Sequence, residues 1–189
     1  MTDLNNIRDN LDYVSSAVRS GPSRGGIPAL YFLWGLLIFI GFTLADFAPQ
    51  LTGFYFLIVG PAGGLFSWWL GARTGRREGV NDAALGQRYG LHWLVSGAAF
   101  LLAFISLISA REAAGPELFL LVAGLSYSLA GVHLERPLLY SGLLMLACYG
   151  GMVLISPPYA WTLTGLVVGI SLLWAGFAQR AEHHRERSQ

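Results

Sequence analysis

Six long apolar stretches constrain this chain more than any other feature. They cover residues 27–45, 51–70, 91–110, 118–132, 138–155 and 159–178, and none carries Asp, Glu, Lys or Arg away from its ends. A membrane-spanning helix needs about 20 apolar residues to cross about 30 Å of hydrocarbon. Water is absent there, so each segment must satisfy its own backbone N–H and C=O groups, which a helix does. The fourth stretch is short, and its helix is expected to begin nearer Gly115. The expected fold is an all-α membrane protein with six transmembrane helices. Residues 1–26 form a cytoplasmic amphipathic helix and hinge, 27–178 the membrane domain with a cytoplasmic loop at 72–90, and 179–189 a charged cytoplasmic tail.

Composition agrees with that reading. Only 12% of the 189 residues are charged, against about a quarter in soluble domains. The net charge of +1 leaves no basic face for nucleic acid. Lysine is absent, which removes Schiff-base chemistry. The single cysteine, Cys148, can form neither an intrachain disulfide nor a cysteine-rich metal site. The first span begins after 26 residues, so no cleaved secretory signal is expected.

Arginine sets the expected orientation. With the N-terminus inside, the inner segments hold Arg8, Arg19, Arg24, Arg73, Arg76, Arg77, Arg88, Arg136, Arg180, Arg185 and Arg187, and the outer loops hold Arg111 alone. Positive residues accumulate on the cytoplasmic side. Both termini are therefore expected in the cytoplasm, with the chain in a bacterial inner membrane. Trp68, Trp69, Trp93 and Trp161 lie near span ends and read as interfacial anchors.

The spans also repeat. Gly97 to Gly124 and Gly142 to Gly169 are both 27 residues, and Gly35 to Gly64 is 29. Each second helix carries another glycine seven residues on, at Gly71, Gly131 and Gly176, and Gly60/Gly64 matches Gly165/Gly169. Small residues let helices approach closely where lipid offers no hydrophobic drive. The expectation is three tandem helical hairpins, with even-numbered helices packed through Gly60, Gly64, Gly71, Gly124, Gly131, Gly165, Gly169 and Gly176. In architecture alone, this layout resembles the three-hairpin membrane proteins associated with bacterial acid resistance. The resemblance rests on the six spans and on no motif, and it implies a fold without a function.

In the N-terminal segment Leu4, Ile7, Leu11, Val14 and Val18 are spaced 3, 4, 3, 4, an apolar stripe along one helix face. It reads either as a docking surface for a partner or as a face lying on the membrane or on the protein itself.

Few residues carry chemistry. His92 and His133 are expected near the cytoplasmic face, where two imidazoles could hold a haem iron or, with Glu135, a metal. Asp46 ends the first span, where an anion opposes the helix dipole, and an Asp46–Arg111 ion pair is expected to compensate it. Gly60-Pro61 marks either a break or a kink in the second span. No zinc-protease or phosphate-loop motif occurs, and no Asp, Glu or Arg lies mid-membrane. The resulting expectation is a non-enzymatic accessory, sensory or stress-related membrane module without catalytic residues, cofactor or metal. Its partners are the lipid bilayer, a cytoplasmic or membrane protein and a second copy of itself, but not nucleic acid. The alternatives are a small channel or facilitator for neutral solutes, and a haem or metal redox protein using His92 and His133.

Overall fold

The computed structural model describes residues 26–77, 83–109 and 115–187. The N-terminal stripe of Leu4, Ile7, Leu11, Val14 and Val18 lies outside these residues, as does Arg111. Six helices follow one another: α1 (Pro28–Phe47), α2 (Pro49–Arg77), α3 (Ala83–Ser109), α4 (Pro116–His133), α5 (Arg136–Ile155) and α6 (Ala160–Arg187). Five of them, α1, α2, α4, α5 and α6, are long and apolar enough to cross a membrane. The described part of α3 is not counted among those five; its length is 27 residues.

Proline marks several helix starts. It stands in the first turn of α1, α2, α4 and α5, where the missing N–H would have no intrahelical partner. Pro61 behaves differently, because α2 continues through it from Pro49 to Arg77. Gly60-Pro61 therefore does not interrupt the helix.

The closest helix contacts are between α1 and α6 and between α4 and α5. α5 and α6 join these two antiparallel pairs into a four-helix core. Leu120, Met145, Val168 and Leu172 are fully buried at its centre. α2 packs on α1, and α3 touches α4 lightly. The helices expected as hairpin mates in the middle of the chain, α3 and α4, are thus less closely packed than α4 and α5.

Glycine explains the tight pairs. A Cβ on Gly35 of α1 would sit 3.2 Å from the Gly169 carbonyl oxygen of α6. Along the same seam Gly165 faces Phe39 and Phe42, and Gly176 faces Phe32. In the α4–α5 pair, Gly124 and Gly142 approach each other's backbones and Gly131 lies against the Leu139 backbone. Any side chain at Gly131 or Gly142 would collide with main chain. Gly60, Gly64 and Gly71 have nothing within 4 Å of the Cβ position among the described residues.

Candidate functional site

The most concentrated polar cluster lies where α4 turns into α5. Helix α4 ends at His133, and both Leu134 N–H and Glu135 N–H donate to the Ala130 carbonyl, at 2.7 and 3.2 Å. Glu135 then occupies the N-cap of α5 in an extended conformation, with its carbonyl accepting from Leu138 N–H at 3.1 Å. An acidic N-cap usually accepts the helix's own N–H groups. Here the side chain makes no such bond and turns into the bundle, where Glu135 is 5% exposed.

Three helices supply donors to that carboxylate. Tyr31 Oη of α1 donates to Oε2 at 2.7 Å. Gln179 Nε2 of α6 donates to the same oxygen at 2.6 Å. Tyr89 Oη of α3 donates to Oε1. A Cβ on Gly26, where the chain enters α1, would collide with Oε1 and with Tyr31 Oη. A buried carboxylate is costly unless hydrogen-bonded, and bonds to an ionised acceptor are among the stronger ones. Glu135 therefore binds the same ends of α1, α3 and α6 to the α4–α5 turn. Burial and the nearby Glu135 carboxylate together push the Tyr89 phenol above its ordinary pKa.

Asp46 organises the opposite end. Its Oδ2 accepts from Thr162 N–H and from Thr162 Oγ1, both at 2.7 Å. Thr162 lies in the first turn of α6, where N–H groups lack intrahelical partners. The compensation that a carboxylate needs at the end of α1 thus comes from the α6 N-terminus. That source was missed because it lies 116 residues away in the sequence. Arg111, the partner expected from charge alone, is outside the described residues.

The two histidines have different surroundings. His92 is half-buried, with Nε2 3.0 Å from the Ser126 carbonyl oxygen and its ring edge-on to Trp93. His133 is exposed. Ser126 and His133 are seven residues apart on α4, about 10 Å of helix rise. Among the described residues, no group of three or more His, Cys, Asp or Glu converges as a metal site.

The tryptophans divide as well. Trp68 and Trp69 are exposed, whereas Trp93 packs against Tyr127 and Trp161 against Phe42. Compared with known families, curated proteins and solved structures, the chain matches none.

Proposed function

We propose that this chain is a non-enzymatic, multi-pass module of a bacterial inner membrane that docks a protein partner through its cytoplasmic segments. In this reading it has six spans, α3 included, arranged as three tandem hairpins in sequence, with both termini in the cytoplasm. The five apolar helices support a bilayer environment, and the arginine distribution supports the orientation.

The observation that carries the docking reading is the Glu135 cluster. It joins four elements at the end expected to face the cytoplasm, and Gly26 packs directly on it. In sequence, Gly26 follows directly on the segment bearing Leu4, Ile7, Leu11, Val14 and Val18. A partner held by that segment would therefore pull on a junction shared by α1, α3, α5 and α6. Such a junction suits an accessory or sensory role, because small displacements at a packed polar hub reach several helices together.

The test is affinity purification in mild detergent from the native host with quantitative mass spectrometry. Wild type is compared with a 1–20 deletion and with Glu135→Gln. The expected result is a near-stoichiometric partner that is lost on deletion and weakened by Glu135→Gln, with the bundle still folded. Recovery of the same partners by the deletion variant would refute docking through this segment.

A further inference from the structure

One exposed face of α2 changes from apolar to basic along its length. Ile58, Ala62, Phe66, Trp69, Arg73 and Arg76 are spaced 4, 4, 3, 4, 3, so they line one side of the helix. All six are exposed. The ring centroids of Phe66 and Trp69 lie 5.6 Å apart. The Arg73 guanidinium lies over the Trp69 ring, 5.1 Å from its centroid. Arg76 Nε donates to the Ala72 carbonyl, one turn back, at 3.2 Å. Among the described residues neither arginine pairs with a carboxylate. An apolar stripe thus leads along α2 to two guanidiniums that neighbours on the same helix hold in place.

Their depth suits a phosphate group. The apolar run from Leu51 to Leu70 rises about 30 Å as a helix, the thickness of the hydrocarbon layer. Arg73 and Arg76 follow within about two turns, where the headgroups lie. The end of a helix carries a partial negative charge that repels an anion, so any attraction comes from the guanidiniums. A guanidinium stacked on an indole keeps its N–H edge free, and that edge matches two phosphate oxygens.

We propose that this face of α2 holds one anionic glycerophospholipid, with its phosphate on Arg73 and Arg76 and an acyl chain along Trp69, Phe66, Ala62 and Ile58. Charge complementarity names the occupant. A zwitterionic lipid brings a second cation to the same two guanidiniums, and a free phosphate leaves the apolar stripe uncovered. Arg180 of α6 stands at the same end of the bundle and is also exposed, but among the described residues it has no aromatic ring beneath it. The inference rests on the bilayer environment and does not depend on the docking reading.

The test is native mass spectrometry of the full chain in detergent with equimolar dioleoyl phosphatidylglycerol and dioleoyl phosphatidylcholine. Wild type should retain one phosphatidylglycerol in preference to phosphatidylcholine. Each arginine beside an anionic headgroup contributes about fivefold, so Arg73→Gln and Arg76→Gln should each cut the preference by about that factor. Arg73→Lys keeps the charge but loses the planar fork over the indole, and should fall between wild type and Arg73→Gln. Arg180→Gln removes the same charge at the same end and should leave the preference unchanged. Excess inorganic phosphate should not displace the lipid, because it has no chain to lie on the stripe. These positions are exposed, so the variants should keep the wild-type melting temperature. Equal retention of the two lipids by wild type, an equal loss in Arg180→Gln, or displacement by phosphate would overturn the proposal. Equal retention by a chain that inserts into phosphatidylcholine vesicles refutes the lipid site alone, whereas failure to insert refutes the bilayer reading with it.

Discussion

Helices α2 and α6 carry glycines at the same spacing but pack differently. Gly60, Gly64 and Gly71 on α2 are separated by four and seven residues, as are Gly165, Gly169 and Gly176 on α6. On α6 all three meet α1, and Gly35 stands opposite Gly169. On α2 all three face open space among the described residues, while Gly63, on another side, contacts Trp34 and Leu37 of α1. Spacing creates a small-residue face. A close contact also needs a partner whose surface fits that face. α1 offers one glycine and three phenylalanines to α6, and α6 takes it.

The largest expected effect separates these two faces. Gly169→Leu should cost about 3 kcal/mol through overpacking of the α1–α6 seam. Reversible unfolding in mixed detergent measures it, and an unchanged midpoint would mean that the seam is looser than described. Glu135→Leu should follow at about 2 kcal/mol, because it strands the donors on Tyr31, Tyr89 and Gln179. Glu135→Gln should lose roughly half as much, since an amide oxygen still accepts.

The pH dependence sharpens the same contrast. The folded state holds the Tyr89 proton more tightly than the unfolded chain does. The resulting stability is complete below about pH 10, the ordinary tyrosine value, and declines as the pH rises toward the folded value. The loss approaches about 1.4 kcal/mol per pH unit for this group. Tyr89→Phe should flatten the slope between pH 10 and 11, and an unchanged slope would show that Tyr89 takes no part in it.

At the other end, Asp46→Ala should cost about 1 kcal/mol, the usual worth of a helix cap. Hydrogen exchange at the Thr162 amide should rise with it. The smallest effect belongs to the open face. Gly64→Leu should leave single-copy stability within about 0.5 kcal/mol. If it also dissociates a detergent-solubilised oligomer, the α2 glycines form a contact between copies.

Much of the fold was legible because local rules govern it. The start of α4 near Gly115 was expected and is observed, whereas α2 runs on to Arg77 and α3 begins at Ala83, both inside the stretch expected as a loop. The candidate site was less legible. Glu135 stood out only as an accessory to the histidines, since a lone carboxylate between two helices resembles an ordinary N-cap. Tyr31, Tyr89 and Gln179 had no sequence signal at all, being aromatic or amide residues near span ends, where such residues are common. Trp93 and Trp161, expected as interfacial anchors, are half-buried with their rings against Tyr127 and Phe42.

The sequence by itself determined that there are helices, where the apolar centre of each lies, and which glycines share a face. Those properties follow from apolar length and from backbone groups that must be satisfied within each segment. Only the tertiary structure decided that α1 pairs with α6 and α4 with α5, and that Glu135 collects donors from three other helices. All these helices are similarly apolar, so hydropathy cannot rank their possible neighbours. The choice depends on shape at close range and on a few buried hydrogen bonds, whose partners lie as far as 116 residues apart.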